Sequence, residues 1–132
     1  MGEVFGTTPN ASHLIVGRLA DAEAFTTLDG STIRELAGAV SLDTENQSLA
    51  EATVPPGGET EAHFHRRSEE VYLFTAGGGR MKLGDEESEV RAGDCVVIPP
   101  GAEHKLWNTG EEPLVLLCCC APAYSHEDTV VT

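Results

Sequence analysis

Residues 57–108 read GGETEAHFHRRSEEVYLFTAGGGRMKLGDEESEVRAGDCVVIPPGAEHKLWN. Turn formers punctuate this stretch at short intervals: Gly57-Gly58, Gly77-Gly78-Gly79, Gly84-Asp85, Gly93-Asp94 and Pro99-Pro100-Gly101. Between them lie runs suited to a pleated, half-buried surface, at 70–75, 80–83, 95–98 and 105–108. In Arg80-Met81-Lys82-Leu83 polar and apolar residues alternate, the period of a strand with one face covered. Short strands at such spacing predict an all-β sandwich or barrel.

Outward from this core the pattern continues. Asn108-Thr109-Gly110 is a further turn, and residues 114–120 form another strand-like run. Upstream, residues 31–37 suit either a helix capped by Ser31 or a strand entering the sheet, and strand is the preferred reading. Residues 42–46 read as a loop. The 132 residues fit one domain: a core at 57–108, an N-terminal extension or strand over 1–40, and a C-terminal tail over 122–132. That tail either frays or folds back over the barrel.

Composition narrows the function. Eight Lys and Arg against 22 Asp and Glu give a net charge of −14. Nucleic acid is excluded as a partner, because its binding needs a basic stripe. Anionic membrane surfaces are repelled for the same reason; a cationic ligand is drawn in. The longest apolar run, at 114–121, is far too short to cross a bilayer as a helix. The opening MGEVFGTTPN has no signal-peptide pattern, and Gly6 stands where a myristoylation motif after Gly2 wants Ser or Thr. The expected location is therefore cytoplasmic. Cys95 and the run Cys118-Cys119-Cys120 form no disulfide framework. In a strand, Cys118 and Cys120 share one face and Cys119 takes the other.

Three of the five histidines fall within this punctuated region. His63 and His65 are two apart and share one face of a strand. A short turn through Arg66-Arg67-Ser68 would lay the next strand antiparallel to theirs and bring Glu70 to the same face. His104 opens another strand after Pro99-Pro100-Gly101. Three imidazoles and a carboxylate suit a borderline metal ion: Zn, Fe, Mn, Ni, Co or Cu.

These residues resemble the cupin family. Its first motif, G-x5-H-x-H-x3,4-E-x6-G, is met by Gly57, His63, His65, Glu70 and Gly77. Its second, G-x5-P-x-G-x2-H-x3-N, is met by Gly93, Pro99, Gly101, His104 and Asn108. Glu69 also satisfies the spacing after His65, but only Glu70 has the motif's six residues between it and a glycine, Gly77, and alternation sends Glu69 outward. Asn108 reads as a residue that stabilises the following turn. The resemblance implies a double-stranded β-helix (jelly-roll) barrel holding one divalent transition metal, Fe, Mn, Ni or Zn, on His63, His65, Glu70 and His104.

It also implies a homodimer and an enzyme of dioxygenase, lyase or isomerase type acting on a small enol, enediol or carboxylate-bearing molecule. The alternative is a non-catalytic metal-binding, small-ligand-binding or sensor barrel. Alternation places Tyr72, Phe74 and Leu106 inward around the site. Tyr72 is a candidate catalytic phenol, while Arg34 and Arg80 are candidates to clamp a substrate carboxylate. His126 in the tail is a candidate acid or base over the barrel mouth, or else a mobile residue.

Overall fold

The computed structural model describes residues 14–38 and 42–132. The opening residues read above for targeting signals, and the first 13 of the N-terminal extension, lie outside that range. Among the described residues, a 3-10 turn at Leu19–Asp21 is followed by eleven strands: β1 Ala24–Thr26, β2 Thr32–Ala37, β3 Ser48–Val54, β4 His63–His65, β5 Glu69–Ala76, β6 Gly78–Leu83, β7 Glu86–Arg91, β8 Cys95–Ile98, β9 His104–Trp107, β10 Leu114–Ala121 and β11 Thr129–Val131. They form two antiparallel sheets, one in the order β1-β2-β3-β10-β5-β8 and the other β11-β4-β9-β6-β7. This is the expected jelly-roll architecture, and residues 31–37 take the strand reading. No helix among the described residues is long and apolar enough to cross a membrane.

Side-chain parity builds the interior. In β10, Leu114, Leu116, Cys118 and Cys120 are buried while the residues between them are only partly covered. Register then aligns β10 with both neighbours: Leu116 pairs with Ala52 and Phe74, and Cys118 with Ala50 and Tyr72. From the second sheet, Met81 and Leu106 complete the apolar core. A two-residue turn, Gly84-Asp85, connects β6 and β7 within the five-stranded sheet. At Gly84 a φ of 60° supplies the positive value that a tight primed hairpin turn needs, closing β6 onto β7 at Leu83 and Glu86. At Gly77, φ is 78° and a Cβ would collide with the Pro113 carbonyl, so glycine is required twice over.

One expected connection is corrected. Residues 66–68 do not turn β4 into a hairpin with β5. β4 pairs with β9 and β11, whereas β5 pairs with β10 and β8. The physical reason is the tail. The amide N–H groups of Arg67 and Ser68 donate to the Asp128 carboxylate at 2.8 and 3.0 Å, and Arg66 N–H donates to the Asp128 carbonyl at 2.8 Å. Those donors are thus committed to a crossover between sheets. The tail itself folds back as β11, which pairs with β4 from His63 to His65.

Asp128 is buried, which alone would raise its carboxyl pKa, but the backbone donors of Ser68 and Arg67 outweigh this and hold it below its ordinary 3.8. A depressed carboxyl pKa contributes stability that is present above 3.8 and lost as pH falls through the folded-state value. We expect Asp128→Ala to cost about 1–3 kcal/mol at pH 7. Urea unfolding at pH 7 and at pH 3 should show the gap between variant and wild type narrowing at the lower pH.

Candidate metal centre

β4 and β9 are adjacent, with His63 directly opposite His104. Alternation puts His63 and His65 on the interior face, and His104 enters from the neighbouring strand. Their side-chain nitrogens come within 4.8 Å of one another. All three residues are buried, His104 to 1 % exposure. The fourth expected residue arrives from the other sheet: Glu70, on β5, places Oε1 3.1 Å from His65 Nε2 and 3.5 Å from His104 Nε2. Glu69 points outward, as alternation requires.

Each imidazole is anchored through Nδ1. His63 Nδ1–H donates to the Glu61 carbonyl at 2.8 Å, and His104 Nδ1–H to the Ala102 carbonyl at 2.9 Å. His65 Nδ1 lies 3.0 Å from Thr129 Oγ1. That hydroxyl already donates to the Ser125 carbonyl, so it accepts from His65. Carbonyl and hydroxyl acceptors therefore place the proton on Nδ1 in all three rings and leave Nε2 as the ligating atom, the arrangement seen around metal-bound histidines. His104 Nε2 is buried without any hydrogen-bond partner. A buried, unpartnered lone pair beside a carboxylate fits a cation.

The electrostatics agree. Burial, then the neighbouring His104, lowers the pKa of His63 and favours the neutral ring that ligates metals. Burial would raise Glu70; when His104 and His65 also carry a proton on Nε2, the two rings more than compensate and hold it down to about 2. Cys120, on β10 opposite Glu70, lies with Sγ 3.2 Å from Glu70 Oε2 and orients the carboxylate. Burial and the Glu70 charge push both Cys118 and Cys120 thiols up, so they remain protonated.

These groups open into a cavity of about 60 Å³. Tyr72 lines it, its ring edge-on to His104 at 5.9 Å between centroids. Burial, then Glu70, pushes its phenol pKa up. Leu106 lines the cavity too, while Phe74 packs against Tyr72 within the core. Arg34 and Arg80 do not reach the cavity. Arg34 sits out of phase with the lining residues Ile33 and Glu35, and Arg80 Nε donates to Glu87 at 2.8 Å on the outer surface. His126 is exposed and stands 3.3 Å from the Tyr124 hydroxyl, while Tyr124 itself lines the cavity. Asn108 performs the expected turn role, donating to the Val54 and Glu112 carbonyls and accepting from Gly110 N–H.

Sequence reasoning missed Asp29. It lies in the turn between β1 and β2, with Oδ2 3.6 Å from His63 Nε2. Its Oδ1 accepts from Thr27 Oγ1 at 2.7 Å, Ser31 N–H at 2.9 Å and Ser31 Oγ at 2.6 Å. The run Thr27-Leu28-Asp29-Gly30-Ser31 was a visible turn signal, but nothing local tied it to His63.

Residues 50–120 match the model of the Cupin domain family. The chain is a cupin. It is 49% identical over 107 residues to the uncharacterized protein MJ1618 of Methanocaldococcus jannaschii, a match spanning 81% of this cupin and 86% of that relative. Among solved structures it superposes on a predicted oxalate decarboxylase of Thermotoga maritima with a TM-score of 0.71 and 21% identity, covering 82% of this chain and 99% of the other. Pac13 of Streptomyces, a nucleoside dehydratase, superposes with a TM-score of 0.74 and 19% identity, covering 91% and 92%. At such identities the two structures establish a shared fold.

Since Thr129 holds His65 in its ligating tautomer, Thr129→Val should weaken cobalt binding about tenfold or more. Equilibrium dialysis against Co(II) measures this, and unchanged circular dichroism would separate the effect from loss of fold.

Proposed function

We propose that this cupin is a metal-dependent enzyme, binding one divalent ion (Fe, Mn, Ni or Zn) through His63, His65, His104 and Glu70. It acts on a small enol, enediol or carboxylate-bearing molecule, in a reaction of dioxygenase, lyase or isomerase type. The observation that carries this reading is the buried, unpartnered Nε2 of His104, aimed at the same space as two other neutral-competent imidazoles and a carboxylate. The bound ion supplies Lewis acidity, and oxygen activation where it is iron.

The protein's own groups divide the remaining work. Glu70 holds its negative charge at any physiological pH and offsets part of the ion's. Tyr72 keeps its phenolic proton and presents it as a donor beside His104. Val54, Leu106 and Leu116 wall the cavity against bulk water, which strengthens every polar contact inside. Asp29 Oδ2 offers an acceptor for a proton or hydroxyl next to His63.

Elemental analysis of untagged protein, purified without chelator, should find about one transition ion per chain. His63→Ala or His104→Ala should abolish stoichiometric binding while the barrel stays folded, and Glu70→Gln should weaken binding more than Glu69→Gln. Full occupancy in both histidine variants would move the site elsewhere.

We also propose a homodimer through the outer face of the six-stranded sheet. There Leu49, Cys119, Val71 and Val97 stand side by side in register across β3, β10, β5 and β8, with Leu49 36 % and Val97 56 % exposed. On a chain of net charge −14 this uncharged row of four side chains is where a second copy approaches with least repulsion. Sedimentation equilibrium should report a dimer in the wild type and a monomer in Val97→Glu.

A further inference from the structure

Three acidic side chains, Asp29, Glu35 and Glu70, line the cavity, and no Lys or Arg does so among the described residues. This is a different environment from one built to hold an anion, where Arg or Lys pairs with the ligand's charge. A divalent ion brings two positive charges, which Asp29 and Glu70 beside the imidazoles already meet before any ligand arrives.

Asp29 is the member best placed to act on a ligand. Its turn is fastened from two sides: three hydrogen bonds converge on Oδ1, and the Asp29 carbonyl accepts from Glu61 N–H at 2.6 Å, two residues before His63. Oδ2 is thereby directed at His63 Nε2, which cannot donate to it while Nδ1 carries the ring proton. Two acceptors thus face each other at 3.6 Å, a pairing that a hydroxyl donor or a cation resolves and another anion worsens. The buried His104 Nε2, without a hydrogen-bond partner, lies within 4.8 Å of the ring nitrogens of His63 and His65, which do line this cavity.

Resting on the metal-site reading above, and narrowing its substrate classes to the uncharged enol or enediol, we propose that the substrate is an uncharged, hydroxyl-bearing small molecule rather than a carboxylate or phosphate, and that Asp29 enforces this choice. Its Oδ2 accepts a hydrogen bond from the ligand's hydroxyl and repels an anionic ligand at the same place. Thr27, Ser31 and Thr60 add hydroxyl-lined wall, which suits a neutral polar molecule. The cavity's size restricts what is enclosed to a few heavy atoms, since about 60 Å³ compares with roughly 10–15 Å³ of such volume for a single water.

The test uses the full chain loaded with Co(II) and two probes of matched shape, glycolamide and glycolate, which differ in charge. Binding is read from the cobalt visible spectrum, without any assay of turnover. In the wild type, glycolamide should shift the spectrum at concentrations at least tenfold below those glycolate requires. Asp29→Asn keeps the Oδ1 acceptor and removes the charge; it should close that gap by about tenfold, with glycolate gaining. A loaded wild type that prefers glycolate, or responds to neither probe, overturns this inference alone, as does a gap unchanged in Asp29→Asn. A chain that takes up no cobalt overturns the metal-site reading and this inference together.

Discussion

Inside this barrel, groups that accept hydrogen bonds are pressed against other acceptors. Each of the three imidazoles spends its ring proton on an outer partner, Glu61, Ala102 or Thr129, so the lone pairs of His63, His65 and His104 face inward. Opposite them stand Glu70, 3.1 Å from His65, and Asp29, 3.6 Å from His63. Taking such groups out of water is expensive unless a positive charge is shared among them. Much of the surrounding structure keeps that arrangement in place: the pairing of β4 with β9, the return of β11, and the thiol of Cys120 on the far oxygen of Glu70.

The two sheets contribute unequally. The five-stranded sheet delivers all three imidazoles from neighbouring strands, so their spacing follows from backbone pairing. The six-stranded sheet delivers the carboxylates, Glu70 from a central strand and Asp29 from the turn at its edge, together with most of the apolar wall. A cation held at the centre would therefore draw the sheets together, in addition to the packing of Phe74, Leu114 and Leu116 between them. A mutation that slides one sheet over the other acts on the site even when it touches none of its residues.

Much of this was legible in the residues themselves, because strand parity is a local property. The two-residue step from His63 to His65, the outward turn of Glu69, and the inward set of Tyr72, Phe74 and Leu106 all follow from alternation alone. Arg80, a candidate clamp on its chemistry, stands outside because Met81 and Leu83 claim the inner face. Sheet membership was not legible. Nothing in Arg66-Arg67-Ser68 announces a crossover, because its cause is Asp128, some sixty residues later. Asp29 was hidden in the same way: its own turn was readable, but its approach to His63 depends on β1 and β2 adding to the edge of β3.

The contact between His65 and Thr129 spans 64 residues. On the ribosome, His63, His65 and Glu70 emerge early, but the hydroxyl that sets the tautomer of His65 is made only near the end of the 132-residue chain. Until then β4 lacks β11 as a neighbour, and His65 lacks the acceptor that orients its ring. The geometry of the three imidazoles is therefore complete only once β11 has docked, so a change in the tail reaches the interior of the barrel.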